Sequence, residues 1–211
     1  MMNEGAINAN PSNPLPYPNP SSLGTGTNWQ DALFQKNAPV FNHQVTASGG
    51  SEKGTYLAEF SYFNQQGVIG GPNSKFARYT FRLNVDQKVN DFLKIGTNLN
   101  YINSHRNAIF DNGDQGGQVL GNAVNIDPIT PLYETDPAKL AAYNANAVTN
   151  GTQFYGISPL ATFPNPLAQL AIINGDNKID KLIGNAFAEL NIWKGIKFRS
   201  SYGMVLGNYN R

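Results

Sequence analysis

The chain has 211 residues, a formal net charge of +1 and no cysteine, and 14% of its residues are charged, against roughly 25% in an average soluble chain. Near-neutral charge leaves a nucleic-acid partner without an electrostatic footprint, and the missing thiols exclude disulfides and thiolate metal sites. No apolar run approaches the roughly 20 residues of a membrane helix, but a mean hydropathy of −0.37 still admits barrel strands of about 9–11 alternating residues.

Residues 1 to about 27 are rich in Asn, Pro, Ser and Gly. Pro11, Pro14, Pro16, Pro18 and Pro20 forbid a helix or a central strand, so this is an extended connector. The N-terminus lacks a basic region followed by an apolar one. An exported protein would therefore carry its export signal outside this chain. Asn28 to Gln35 is a candidate short helix, with Trp29, Leu33 and Ala32 on one face and Asn28 or Thr27 as its cap. On this reading 1–35 is a connector with a short helix.

Val40 to Ser48 is the first predicted strand, with Phe41, His43, Val45 and Ala47 on one face. A turn at 50–53 leads into a second strand, Thr55 to Asn64. Its apolar face is Tyr56, Ala58, Phe60 and Tyr62. Partner numbers summing to 103 pair Ala47 with Tyr56 and Val45 with Ala58. Residues 65–75 hold Gly67, Gly70, Gly71 and Pro72 and read as a loop.

The clearest period of two runs from Arg78 to Tyr101. Tyr79, Phe81, Leu83 and Val85 alternate with Arg78, Thr80, Arg82 and Asn84. After a break at 89–91, Leu93, Ile95, Thr97, Leu99 and Tyr101 alternate with Lys94, Gly96, Asn98 and Asn100. Folding about Asn90 pairs Tyr79 with Tyr101 and Val85 with Ile95. One face is then apolar and the other polar. A one-residue slip would mix Arg78 and Arg82 into the apolar face.

Residues 105 to about 177 have no sustained period of two, and a connection this long is uncommon in a compact domain. Gln118 to Ile126 and Pro137 to Ala147 are helix candidates within it. The last hairpin runs from Gly184 to Met204 around Trp193-Lys194-Gly195. It sets Leu190 against Phe198 and Glu189 against Arg199, a cross-strand charge match.

The predicted fold is all-β: an antiparallel up-and-down meander of about six strands. Its turns at 50–53, 89–91 and 193–195 are short, while 65–75 and 105–177 are long. In a meander the short ones share one edge, as in outer-membrane barrels. Tyr62, Tyr79, Tyr101 and Tyr202 form a level near the long-loop edge. Tyr56, Phe92 and Trp193 lie near the short-turn edge, as do aromatic girdles at the two faces of a membrane. Alternation alone also fits a soluble antiparallel sandwich; turn asymmetry and the aromatic levels favour a partial transmembrane barrel over 36–211, with one long loop carrying short helices.

At these residues the chain resembles the SusC/RagA family of TonB-dependent outer-membrane receptors of Bacteroidota. The matching motifs are Asn28-Trp29-Gln30-Asp31 with Phe34, Val45-Thr46-Ala47-Ser48-Gly49-Gly50-Ser51-Glu52-Lys53, Tyr62-Phe63-Asn64-Gln65-Gln66-Gly67-Val68-Ile69 and Arg78-Tyr79-Thr80-Phe81-Arg82-Leu83-Asn84-Val85. Val89 to Gly96, Asn165-Pro166-Leu167, Gly184-Asn185-Ala186 and Lys194 to Arg199 continue the match in family order. The resemblance implies an early segment of a large barrel wall in the outer membrane of a Gram-negative bacterium. It implies import of oligosaccharides or peptides with a SusD-type lipoprotein, powered through TonB. The plug, its TonB-contacting box and the later strands have no match here, so the expectation is a fragment or a truncated reading frame.

No catalytic constellation is evident, and neither an enzymatic activity nor a cofactor is expected. His43 and His105 lack a cysteine or spaced carboxylate partner. Asp111-Asn112-Gly113-Asp114 has part of a calcium-loop pattern, but Asn122 stands where the bidentate glutamate belongs. Asn150-Gly151-Thr152 fits a glycosylation pattern, and Gly24-Thr25-Gly26 lacks the setting of a phosphate loop. The polar-face charges Glu59, Arg78, Arg82, Glu189 and Arg199 are the candidate lumen-lining residues. The competing reading is a soluble all-β binding or adhesion module with the long loop as its binding surface.

Overall fold

A computed structural model describes residues 19–109, 119–141, 148–158, 163–172 and 175–210. The described strands are β1 (Val40–Ser51), β2 (Gly54–Gln66), β3 (Lys75–Lys88), β4 (Leu93–Asn107), β5 (Thr149–Asn150), β6 (Gln153–Phe154), β7 (Asp176–Trp193) and β8 (Ile196–Asn210). Six of them form one antiparallel sheet in the order β1-β2-β3-β4-β7-β8, a meander; β5 and β6 form a small hairpin within the β4–β7 connection. The chain divides into two compact units, 33–111 with 172–211, and 1–32 with 112–171.

In the sheet unit, alternation sorts the side chains as expected, but two registers move by two residues. The first turn contracts to Glu52-Lys53, because Ser51 pairs with Gly54. Val45 therefore faces Phe60 rather than Ala58, and Ala47 faces Ala58 rather than Tyr56. Gly49, just past the end of the expected strand, is a strand residue opposite Tyr56, whose ring occupies the space a Cβ would need. In the second hairpin the Asn90 carboxamide oxygen accepts from the Phe92 and Leu93 amides, at 3.1 and 2.8 Å. This side-chain-closed turn shifts its centre to Asp91, so Val85 faces Thr97 and Phe81 faces Tyr101. A shift of two leaves every side chain on its own face, so the two-faced pattern survives. The third hairpin keeps its expected register, Leu190 with Phe198 and Glu189 with Arg199. A bulge near Ile192 precedes a turn with Gly195 at φ +84.

The apolar face is uncovered. Val45 is 70% exposed and Tyr202 74% exposed, and Phe41, Tyr56, Phe60, Phe81, Ile95, Phe198 and Leu206 are all exposed. Among the described residues the buried hydrophobic side chains are Trp29, Leu33, Val119, Ile126, Tyr155, Leu170 and Phe187. Only Phe187 belongs to the large sheet, and it lies on the polar face, in the row of Gly96 and Ser201. Burying a side chain of this size stabilises by about 1.5–3 kcal/mol relative to leaving it in water. A whole face of such residues left bare marks an interaction surface.

Strand stagger points the same way. One hydrogen-bonded row runs through Gly49, Tyr56, Val85, Thr97, Ala186 and Tyr202. Relative to it, the third short turn lies about four residues further out than the first, across four strand spacings; at 3.4 Å per residue and 4.8 Å per strand this is a tilt of about 35°. Barrels need roughly 35–45°. Measured from the line of short turns, Tyr62, Tyr79, Tyr101 and Tyr202 fall within about three residues of one level, as amphipathic rings at an interface do. All charged residues on this face of the described strands, Lys75, Asp176, Lys178 and Asp180, lie beyond that level. There Asp180 accepts from Tyr101 Oη at 2.8 Å and Asn103 Nδ2 at 2.7 Å. His105, which looked partnerless in sequence, meets Asp176, 71 residues away. The charge-free band between turns and tyrosines is about 25 Å tall, the height of a barrel's hydrocarbon belt.

The second unit is held by buried polar side chains. Asp127 accepts from the Thr130 amide and hydroxyl, each at 2.8 Å, and from Ser158 Oγ. Its carbonyl accepts from Trp29 Nε1 at 3.2 Å. Thr27 donates its amide to the Pro128 carbonyl and its hydroxyl to the Thr130 carbonyl, both at 2.6 Å. Asn165 spans the Leu132 and Gly156 carbonyls and caps the helix Pro166–Ile172 through the Leu167 amide. The expected helices appear as Trp29–Leu33, capped by Asn28, and as Val119–Asn125 and Pro137–Leu140. The prolines at 11–18, the acidic loop at 111–114 and residues 142–147 of the third helix candidate lie outside the described residues.

Candidate functional site

The polar face of the large sheet carries the candidate site, because every second residue of each strand projects there. All five expected residues, Glu59, Arg78, Arg82, Glu189 and Arg199, share that face. They do not form one cluster. Glu59 and Arg82 are cross-strand partners in the middle of the β2–β3 pair. Glu189 and Arg199 are partners near the third short turn.

Near the short turns the charged side chains are paired. The Arg199 guanidinium lies 3.9 Å from the Phe187 ring centre, with Lys94 Nζ 5.9 Å from the same ring. Glu189 meets Arg199 at 3.9 Å and Lys197 at 3.4 Å, and Lys94 meets Asp86 at 2.9 Å. Gly96 gives the Phe187 ring its seat, since a Cβ there would collide with the ring and with Asp86. In the second turn, the hydrogen bond from Lys88, 2.7 Å away, holds the Asp91 carboxyl below its ordinary value.

Toward the long connections the balance changes. Beyond the paired zone the same face carries Arg82, Arg78, Lys181 and Arg106 against one carboxylate, Glu59. None of the four cations makes an ion pair among the described residues. Arg78 instead lies 5.7 Å from the Phe63 ring, and Phe63 packs 6.0 Å from Phe76. A cavity of about 650 Å³ opens here, bordered by Phe76, Ser104, Arg106, Asn177, Ile179 and Tyr209. Sequence reasoning missed Arg106 and Lys181. Arg106 continues the even-numbered face of β4 past Tyr101, where the period was judged to end. Lys181 lies where Asp180-Lys181 is followed by Leu182-Ile183, a doublet pattern that hides the period of two. No group of three His, Cys, Asp or Glu side chains fit to hold a metal occurs among the described residues.

No family model matches the chain. It is 29% identical over 195 residues to TonB-dependent receptor P26 of Formosa agariphila, covering 92% of this chain and 17% of that receptor. It is 30% identical over 183 residues to TonB-dependent receptor P3 of the same organism. It is also 30% identical over 175 residues to TonB-dependent receptor SusC of Bacteroides thetaiotaomicron. The chain is a segment of a SusC/RagA-type TonB-dependent receptor. It spans about a sixth of these receptors' length, 17% in each case.

Solved structures agree on the fold. The RagAB peptide importer in its open-open state matches with a TM-score of 0.63 at 23% identity, over 88% of this chain and 19% of that one. Its closed-closed state gives 0.61 at 22%. The six-stranded meander is thus an arc of a SusC/RagA-type barrel, unclosed within these residues.

Proposed function

We propose that this segment forms part of the wall of an outer-membrane importer of a Gram-negative bacterium. Residues 1–35 lead into the wall, 36–211 build it, and the connection at about 105–177 is extracellular. Glu59, Arg78, Arg82, Glu189 and Arg199 line the lumen. The complete receptor takes up oligosaccharides or peptides with a SusD-type lipoprotein partner, draws energy through TonB and catalyses no reaction. The observation that carries this reading is the exposed apolar face, with its charge-free band, on strands staggered by a barrel's tilt. An open sheet edge in lipid leaves peptide groups unpaired at several kcal/mol each, so β1 and β8 pair with further strands of the whole receptor.

The test is fractionation of cells producing the receptor that contains this segment. The receptor sediments with outer membranes and changes electrophoretic mobility on boiling, as closed barrels do. Recovery of these 211 residues as a detergent-free monomer with cooperative unfolding would support a soluble binding module instead.

A further inference from the structure

We propose that the cavity bordered by Phe76, Arg106 and Tyr209 is a ligand subsite for carboxylate-bearing molecules; this rests on the importer reading, which makes the polar face the lumen. The position is at the long-loop end of that face, where an entering ligand first meets the wall. Three observations converge on it. First, Arg106 makes no side-chain hydrogen bond or ion pair among the described residues, although guanidinium is built for bidentate carboxylate recognition. Second, Arg78, Arg82 and Lys181 lie on the same face, and Glu59, opposite Arg82, is the sole carboxylate of that stretch among the described strands. The unbalanced charge raises the local concentration of anions in a confined channel. Third, the aromatic side chains Phe76 and Tyr209 border the cavity, and Ser104 and Asn177 add hydrogen-bonding groups. Asp176 also borders the cavity, but His105 and Lys178, the latter at 3.2 Å, hold its carboxylate.

Ion pairing near the short turns supplies the contrast. There each carboxylate of the polar face, Asp86 and Glu189, has a basic partner. The cations of one end are thus engaged by carboxylates, and those of the other are not. A carboxylate on a compact ring or a short chain suits both the guanidinium and the aromatic walls. Uronate sugars and acidic peptides share that chemistry.

The experiment measures binding by calorimetry to the whole receptor purified in detergent, at low and moderate salt. The probes are a trigalacturonate and its methyl ester, and a glutamate-rich tripeptide and its glutamine counterpart. At least one acidic probe binds ten-fold or more tighter than its neutral counterpart, and added salt narrows the gap. Arg106→Gln removes that preference and changes neutral-probe binding less than two-fold. Arg106→Lys retains part of the preference. Which acidic probe binds identifies the source of the carboxylate. Equal binding of acidic and neutral probes, no binding of either acidic probe, or an unchanged preference in Arg106→Gln overturns the subsite. A receptor that fails to migrate as a heat-modifiable barrel overturns the importer reading instead, so the two failures are told apart.

Discussion

Asp127 illustrates what a single buried side chain does here. It is 7% exposed, and it gathers the Thr130 amide, the Thr130 hydroxyl and the Ser158 hydroxyl, while its own carbonyl holds Trp29. Truncation to alanine strips three donors of their acceptor in a buried setting, where an unsatisfied group costs about 1–3 kcal/mol. Asp127→Ala in the whole receptor therefore speeds amide exchange at Thr130 at least ten-fold, measured by deuterium uptake, without changing exchange in β3 or β4. Gly96 is the sheet's counterpart. Gly96→Val unseats Phe187 and separates Arg199 from its ring, and limited proteolysis near the 194–195 turn then quickens. Neither effect was legible in the sequence. Asp127 and Trp29 are 98 positions apart, and Gly96 reads only as a weak strand residue until Phe187 is brought over it.

Strands were legible where alternation is clean, and obscured where it is not. β3 alternates from Tyr79 to Val85 without a fault, and its two faces came out as expected. β7 begins at Asp176, well before its clear alternation at Gly184, because Asp180-Lys181-Leu182-Ile183 pairs like with like. The registers of the first two hairpins slipped by two because turn chemistry sets them. Composition does not say whether Ser51 ends a strand or begins a turn, nor that the Asn90 side chain closes its own loop. The chain has no cysteine, so this is directly testable with introduced pairs. Val85→Cys with Thr97→Cys cross-links on mild oxidation, as the directly facing pair of an antiparallel ladder. Val85→Cys with Ile95→Cys does not. The reverse result, read by peptide mapping, would restore the earlier register. Side-chain direction gives a second test on β3: Val85→Arg, on the apolar face, costs about 2–4 kcal/mol in a bilayer, while Asn84→Arg beside it costs little. Urea unfolding of the receptor in lipid vesicles reads both.

At the scale of the whole molecule, what meets the apolar face decides where the protein works. Its legibility in the sequence came from physical constraints that act locally, namely the period of two, the short turns on one edge and the tyrosines at one level. The uneven charge of the polar face was not legible, because Arg106 and Lys181 fall where the period breaks. Fluorescence of single tryptophans placed along residues 78–86 of the complete receptor, in vesicles with brominated acyl chains, tests the account most directly. Bromine quenches only what touches hydrocarbon. Strong quenching is expected at positions 79, 81, 83 and 85 and weak quenching at 78, 80, 82, 84 and 86. Uniform weak quenching along the whole stretch, or strong quenching at the even positions, would contradict it.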